Sequence, residues 1–175
     1  YPLRRQRQMC IRDSDFGNLA QRVLSMITKN CDGKVPTPGA FEADDTVLLG
    51  QAQGLLEAVR GQLDRQGFNH ALESIWVVIR AANGYVDRQA PWKLKKEDPA
   101  RMATVLYVLA ETIRHLAILA QPVMPEAMEK ILDQLAQPAD ARDFTALGED
   151  GALAPGLELP KPEGVFPRFV DEDAE

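Results

Sequence analysis

The sequence predicts an all-α fold, an antiparallel bundle of about five helices with an extended C-terminal tail. Apolar residues recur at helical spacing in five segments, and short connections rich in proline and glycine separate these segments. No alternation of polar and apolar residues is long enough to predict a strand. A chain of 175 residues with 45% hydrophobic content fits one domain with a substantial core.

The first predicted helix runs from Asp15 to about Asn30, where an Asp-Gly pair supplies a stop. Asn18 and Arg22 are four residues apart, so both project from one face of this helix, beside its apolar stripe. Such a pair of hydrogen-bonding side chains suits a binding surface, although it is also typical of a solvated helix face. The apolar stripe consists of Leu19, Val23, Met26 and Ile27.

The second and third predicted helices are separated by a Gln-Gly pair. The second is capped by Asp44 or Asp45 and continues to about Arg65. The third is capped by Asn69 and ends near Gln89, because a proline follows shortly after. Apolar residues cover so much of the circumference of the third helix that we expect it to lie centrally in the bundle.

The fourth and fifth predicted helices have proline at their starts. Asp98 provides the cap and Pro99 the first helical position of the fourth helix, which stops before Pro122. The fifth helix starts around Pro125 and stops before Pro138. Frequent glycine and proline after it predict an extended tail draped over the bundle. The candidate anchors of this tail are Leu157, Leu159, Val165, Phe166 and Phe169.

The segment from Arg4 to Ser14 has no amphipathic period and differs from everything that follows it. It matches, residue for residue, one reading frame of the DNA adapter used in transposase-based sequencing libraries. We therefore expect residues 1–14 to be a non-native, adapter-derived segment, residues 15–170 to be the helical domain and residues 171–175 to be an acidic tail. The competing interpretation of residues 1–14 is a basic arm that binds nucleic acid.

The charge balance limits the kind of nucleic-acid site that this chain can carry. The full chain has 20 basic and 26 acidic side chains, a net charge of −6. Without residues 1–14 the balance is 16 to 25, a net charge of −9. A nucleic-acid site must then be a local patch on an acidic body, which favours recognition of a few nucleotides over general affinity.

Several function classes have no support in the sequence. Cys10 and Cys31 form no CxxC pair, and His70 and His115 lie on separate predicted helices, so neither a disulfide framework nor a metal site is predicted. The chain has no glycine-rich phosphate loop and no nucleophile elbow, and we predict no catalytic residue. No continuous apolar run reaches the roughly 20 residues that span a bilayer. We expect a cytoplasmic protein with no membrane partner.

The end of the third predicted helix carries the strongest functional signal. Pro91 places Trp92 on a stiff exit from an apolar helix. Three lysines follow, Lys93, Lys95 and Lys96. An indole flanked by ammonium groups suits a nucleobase and its phosphates, because base stacking is worth about 1–3 kcal/mol and lysine neutralises backbone charge. The alternative is that Trp92 closes the core, which is the role we expect for Trp76.

Five short motifs follow one another along the chain. They are Asn18-Leu19-Ala20-Gln21-Arg22, Asn30-x-Asp32-Gly33-x-Val35-Pro36, Asn83-x-Tyr85-x-x-x-x-Ala90-Pro91-Trp92, Leu106-Tyr107 and Pro122-x-Met124-Pro125. In this order they resemble the anticodon-binding domain of bacterial methionyl-tRNA synthetases. The resemblance covers nearly everything from Asp15 to Phe169, and its most specific part is the Asn-x-x-x-Arg pair together with Ala-Pro-Trp.

The resemblance implies specific roles for five residues. In that family the asparagine and arginine of the first helix contact anticodon bases, and the tryptophan after Ala-Pro stacks on the anticodon cytosine. Carried over by position, Asn18, Arg22 and Trp92 would read a CAU anticodon. Asp87 and Gln89 would contact bases or support those that do. Proteins recognise single-stranded loop bases by splaying them out, stacking them on aromatic side chains and forming hydrogen bonds to their pairing edges. The side chains named here are of the types that make such contacts.

The resemblance also implies an intact enzyme, a methionine–tRNA ligase, of which this chain is a C-terminal fragment. Its partners would be the anticodon loop of tRNA(Met) and its own N-terminal catalytic domain, which is missing here. The intact enzyme would use ATP and could carry zinc in an upstream knuckle, whereas this chain would bind neither and would be inactive. A monomer is expected. The alternatives are the corresponding domain of another class I aminoacyl-tRNA synthetase and a stand-alone helical interaction module.

Overall fold

The computed structural model describes the backbone of residues 2–165 and the side chains of residues 15–165 except residue 149. Over this range the chain forms seven α-helices and no sheet. The helices are α1 (Pro2–Asn30), α2 (Ala43–Gln53), α3 (Leu55–Leu63), α4 (Phe68–Gln89), α5 (Pro91–Glu97), α6 (Pro99–Ala120) and α7 (Pro125–Gln134). Three short 3-10 turns follow, at Ala139–Ala141, Phe144–Leu147 and Glu149–Gly151. The predicted all-α class is confirmed.

Helix α6 is the central helix of the bundle. It packs against α1, α2, α4, α5 and α7, and most of its side chains from Met102 to Ala120 are buried. Within the described range it is the one helix long and apolar enough to cross a membrane, yet 94% of its apolar window is buried inside the protein. Burial in the domain's own core accounts for its apolarity. Helix α4, which we expected at the centre, packs against α1, α2, α3 and α6.

The boundaries marked by proline agree with the prediction. Helix α6 starts at Pro99, and Asp98 caps it by accepting a hydrogen bond of 2.9 Å from the backbone N–H of Arg101. Helix α7 starts at Pro125 and ends well before Pro138. These signals are reliable because proline at the first helical position loses no hydrogen bond there.

Other predicted boundaries are wrong. The second predicted helix is divided at Gly54 into α2 and α3, since glycine is a poor helix former. Helix α2 starts at Ala43, so Asp45 lies inside its first turn instead of preceding it. Asn69 does not cap α4, which already starts at Phe68.

The stiff exit predicted after α4 is a short helix of its own. Helix α5 starts at Pro91, and Ala90 between the two helices adopts a left-handed conformation with φ 44° and ψ 59°. This conformation turns the chain sharply, and it is uncommon for a residue with a Cβ. Pro91 also disfavours the right-handed helical conformation at Ala90, which is why α4 cannot run on into α5.

The segment after α7 lies against the bundle, as predicted. An isolated antiparallel bridge joins Lys34 to Glu158, and the backbone N–H of Val35 donates to the carbonyl oxygen of Leu157 at 2.8 Å. Val165 is buried, and Leu157 and Leu159 are half-buried against the core. Outside the described residues lie the candidate anchors Phe166 and Phe169, the acidic tail 171–175 and the side chains of residues 1–14.

A buried ion pair on α6 holds the 3-10 turns in place. The Nε of Arg114 donates to both carboxylate oxygens of Glu111 at 3.1 Å, and its Nη1 donates to the carbonyl oxygen of Ala146 at 2.6 Å. Glu111 also accepts a hydrogen bond of 3.0 Å from the backbone N–H of Leu153. Both charges therefore have partners, which is the condition for burying them. His115 is buried beside this pair, with its Nδ1 3.5 Å from Oε1 of Glu111.

Candidate nucleic-acid interface

Trp92 is the second residue of α5 and is accessible to solvent. Its side chain is 48% exposed, whereas that of Trp76 is 7% exposed. Pro91, directly before it, is buried and fixes the start of α5 against the bundle. Trp76 therefore fills the core as predicted, and the alternative that Trp92 closes the core is wrong. An exposed indole on an anchored helix start is available as a stacking face.

Asn18 and Arg22 lie on the solvent side of α1, one helical turn apart. Phe16, Leu19 and Val23 on the same helix are almost fully buried. Packing of these three side chains determines the rotation of α1 about its axis. That rotation presents the amide of Asn18 and the guanidinium of Arg22 outward together, as the four-residue spacing predicts.

Asp87 brings the end of α4 next to α1. Its Oδ1 lies 3.5 Å from Nη1 of Arg22, and both side chains are exposed. Asn83, one turn earlier on α4, donates to the carbonyl oxygen of Asp15 at 3.4 Å and to that of Ile79 at 3.1 Å. Two polar contacts therefore join α1 to α4 close to the residue that leads into α5. We call the exposed side chains of Asn18, Arg22, Asp87 and Trp92 the reading surface, after the role that the resemblance implies for them.

Gln89 has a different environment from the other candidate residues. Its Oε1 accepts a hydrogen bond of 2.9 Å from Nη2 of Arg101, and its Nε2 donates to Asp44 at 3.4 Å. Both polar ends of the side chain are thus engaged with α2 and α6. Sequence spacing placed Gln89 beside Trp92 and could not show this engagement.

A buried polar cluster lies directly behind the end of α4. Asp45 has no exposed surface and accepts hydrogen bonds from Tyr85 at 2.7 Å and from Arg101 through both of its oxygens. Burial raises the pKa of the Asp45 carboxyl, but hydrogen bonds from Arg101 and Tyr85 lower it, and the net pKa lies below its usual range. The cluster therefore contains a charged carboxylate that accepts three side-chain hydrogen bonds, in addition to one from the backbone N–H of Glu42.

Sequence reasoning missed this cluster because its members are distant in sequence. The sequence predicts Asp45 only as a possible helix cap, and it does accept a hydrogen bond of 3.0 Å from the backbone N–H of Glu42. In the sequence Tyr85 stands out only as part of a motif, and no pattern distinguishes Arg101. No spacing rule pairs a residue on α2 with one near the start of α6.

The electrostatic character of the surface is mixed. Lys93, Lys95 and Lys96 are exposed on α5, next to Trp92. Ammonium groups at this position provide partners for phosphates beside the indole. Among the described side chains, those of residues 15–165 without residue 149, no group of three His, Cys, Asp or Glu is placed to hold a metal ion. The arrangement combines a flat aromatic face with amide, guanidinium and ammonium donors, which is chemistry for recognising a base.

Comparison with known families identifies the domain. The family model described as the anticodon binding domain of methionyl tRNA ligase matches residues 35–175. The chain belongs to this family. The anticodon-binding domain thus assigned agrees with the helical bundle. It also favours the methionyl interpretation over another class I synthetase or a stand-alone interaction module.

Curated relatives of the anticodon-binding domain are considerably longer than this chain. A methionine–tRNA ligase of Brucella melitensis biotype 1 is 52% identical over 160 residues, covering 91% of this chain and 31% of that protein. A methionine–tRNA ligase of Mycobacterium leprae is 51% identical over 166 residues, covering 93% of this chain and 30% of that protein. The chain spans about a third of the length of these relatives.

Solved structures share the fold of the anticodon-binding domain. The apo form of Mycobacterium tuberculosis methionyl-tRNA synthetase superposes with a TM-score of 0.86 at 51% identity, covering 90% of this chain and 32% of that one. The complex of the same enzyme with methionyl-adenylate gives a TM-score of 0.84 and covers 88% of this chain and 31% of that one. The helical bundle described above is therefore the fold of these enzymes over the matched part.

Proposed function

We propose that this domain reads the CAU anticodon of tRNA(Met). Trp92 stacks on the anticodon cytosine, and Asn18 and Arg22 donate hydrogen bonds to the edges of anticodon bases. The observation that carries this proposal is the placement of an exposed indole just after the helix end whose Asp87 contacts Arg22. The proposal therefore groups two exposed residues of α1 with one exposed residue of α5.

The chemistry of these side chains suits unpaired bases. Every base offers a flat face to the indole, which contributes affinity with little dependence on sequence. Sequence discrimination then has to come from donors and acceptors along the pairing edges, which Asn18 and Arg22 can supply. The body of the domain is acidic, so general attraction to RNA is weak and specific contacts decide which loop binds.

Arg22 already has a charged partner before it meets RNA. Its ion pair with Asp87 is exposed on both sides, so it contributes little free energy and is readily exchanged for a contact to a base. Asp87 then becomes free to accept a hydrogen bond from a base. Its carboxylate repels a loop that presents a hydrogen-bond acceptor at the same place. Gln89, with both polar ends occupied, contributes to the shape of the surface behind these residues.

The activity of the whole protein is part of the proposal. The relatives are named methionine–tRNA ligases, and we infer that residues 15–170 are the tRNA-reading part of such a ligase, with residues 1–14 as a non-native segment. Catalysis, ATP binding and any zinc knuckle are assigned to the catalytic domain outside this chain, so the chain alone binds tRNA without charging it. A cytoplasmic, monomeric enzyme with no membrane partner rests on the resemblance alone.

Binding of anticodon stem-loops tests the proposal. The 175-residue chain is titrated with an RNA stem-loop carrying CAU and with loops in which one anticodon base is changed. We expect tighter binding of the CAU loop, and we expect Trp92→Ala to weaken it by about 1–3 kcal/mol, the value of one base stack. Phe68→Ala is the matched control, because Phe68 is also an exposed aromatic but lies at the opposite end of α4, about 33 Å away along a 22-residue helix.

Asn18→Ala and Arg22→Ala complete the test. Each is expected to reduce the difference in affinity between the CAU loop and the changed loops, because each removes donors to base edges. Equal affinity of the unaltered chain for all loops would contradict the proposal. So would equal binding by the Trp92 and Phe68 variants.

A further inference from the structure

A polar cluster forms hydrogen bonds with the last residue of α4. None of the contacts to anticodon bases proposed above involves this cluster. We call Asp44, Asp45, Gln89 and Arg101 the α4 anchor. Asp44 and Asp45 lie in the first turn of α2, Arg101 lies near the start of α6, and Gln89 is the final residue of α4. Three helices thus meet immediately before the chain turns toward Trp92.

Arg101 joins the members of the α4 anchor. Its two terminal nitrogens donate to the two carboxylate oxygens of Asp45 at 2.5 and 2.8 Å, and Nη2 also donates to Oε1 of Gln89 at 2.9 Å. Its side chain is only 11% exposed. A guanidinium can make this bidentate contact and a third hydrogen bond at once because its donors lie in one rigid plane.

Gln89 links Arg101 to the turn that leads into α5. Its neighbour Ala90 is left-handed, a conformation that is disfavoured for alanine and persists only where the surroundings hold it. The hydrogen bonds of Gln89 to Arg101 and Asp44 hold one side of this turn. Burial of Pro91 holds the other side. Trp92 follows directly after Pro91, so these contacts lie within three residues of the indole.

We propose that Arg101 is a positioning residue for anticodon recognition. Through Asp45 and Gln89 it keeps the turn at Ala90 in one conformation, so that the indole of Trp92 is held in the orientation that stacks on a base. This inference rests on the proposed function of Trp92. Because Arg101 is nearly buried, it acts through the protein and does not itself contact RNA. A binding surface that is ordered in advance loses less entropy when the ligand arrives.

A second buried ion pair on the same helix provides the control. Arg114 pairs with Glu111 on α6, about 20 Å further along the helix, where it holds the carbonyl oxygen of Ala146 instead of the end of α4. Arg114→Lys should disturb a buried pair much as Arg101→Lys does. An effect on the reading surface that follows from general loss of stability would then appear in both variants.

The test uses three variants of the 175-residue chain: Arg101→Lys, Gln89→Ala and Arg114→Lys. Each is titrated with the CAU stem-loop, and each is also made in a Trp76→Phe background, where Trp92 is the one remaining tryptophan. Time-resolved fluorescence anisotropy without RNA then reports the motion of the Trp92 indole. A variant that leaves the indole correctly oriented for about a tenth of the time raises the dissociation constant about tenfold.

We expect Arg101→Lys and Gln89→Ala to weaken binding and to increase the motion of Trp92, and Arg114→Lys to do neither. The anisotropy measurement separates positioning from direct contact, since loss of a direct Gln89–base contact leaves the indole of the free protein unchanged. Folded Arg101→Lys and Gln89→Ala variants with unaltered affinity and anisotropy would overturn the inference, as would equal effects in Arg114→Lys. If Arg101→Lys does not fold, Gln89→Ala decides alone. Failure of Trp92→Ala to weaken binding would instead overturn the proposed function.

Discussion

Arg22 on α1 and Asp87 on α4 form an ion pair at the surface where the two helices meet, with Nη1 and Oδ1 3.5 Å apart. The side chains are 40% and 68% exposed. Arg101 and Asp45 form a second arginine–aspartate pair in which the aspartate has no exposed surface. The same two residue types thus occur in this domain in an exposed and in a buried setting, and the two pairs should respond differently to removal of one charge.

Asp87→Asn is expected to change the free energy of unfolding by less than about 1 kcal/mol, because water and salt already screen an exposed pair. Asp45→Asn is expected to lower it by about 3–5 kcal/mol, because it leaves the guanidinium of Arg101 without its buried counter-charge. Urea denaturation of both variants measures the two values. Equal losses of unfolding free energy in the two variants would contradict the finding that one pair is exposed and the other is buried.

His115 should make stability depend on pH. Burial lowers the pKa of this histidine, opposed by Glu111 and reinforced by Arg114, so the unfolded chain takes up a proton at a pH where the folded protein does not. Stability is then fully present above about pH 6.5, the unfolded value, and is lost as the pH falls from there toward the lower folded pKa.

Chemical denaturation at several pH values between 7 and 5 measures this effect. The slope contributed by one histidine reaches at most about 1.4 kcal/mol per pH unit. His115→Gln should flatten the curve, and His70→Gln, at an exposed position, is the control. A loss of stability on acidification that is as steep in His115→Gln as in His70→Gln, or steeper, would refute this assignment.

Two glycine-to-alanine substitutions should act in opposite directions. Gly50 lies inside α2 with nothing within 4 Å of an added Cβ, so alanine there should stabilise the domain by about 1 kcal/mol through its helix propensity. At Gly151 an added Cβ would lie 2.0 Å from the carbonyl oxygen of Ala146. That clash should destabilise the domain by about 1–3 kcal/mol. Thermal unfolding of both variants tests the pair, and a stabilised Gly151→Ala variant would show that the turn is not packed as described.

Ala90 should tolerate glycine but not valine. Ala90→Gly relieves the left-handed conformation while increasing the freedom of the unfolded chain, so the change in stability should be below about 1 kcal/mol. Ala90→Val places a β-branched side chain at φ 44° and should cost about 1–3 kcal/mol. Differential scanning calorimetry of the two variants checks this order, and similar melting temperatures would mean that the turn adopts another conformation.

Most of the fold could be predicted from the sequence because it depends on local patterns. Asp98 and Pro99 identify the start of α6 from their own chemistry. The same rule applied to Pro91 would have predicted α5, since proline that ends one helix also suits the first position of the next. The division of α2 from α3 at Gly54 depends on the packing of both segments. Helix propensity alone indicates only that a helix is less stable at this glycine.

The candidate site could be predicted only in part. Trp92 was identified from its exit after proline, and Asn18 and Arg22 from their spacing and the family resemblance. The α4 anchor could not be predicted, because Asp45 and Arg101 meet only when α2 and α6 pack together. Their contact is a property of the tertiary structure, and so is the engagement of Gln89 on both sides.

The bridge between Lys34 and Glu158 also bears on how the domain folds. It joins two segments separated by about 120 residues, and the entropy lost on closing so long a loop is recovered only after the intervening helices have packed. We expect this contact to form after the helical bundle and to open before it. Amide hydrogens of Val35 and Leu159, which donate across this junction, should therefore exchange with solvent faster than those of α6. Docking of the segment after α7 onto the bundle is then a late and separate step of folding.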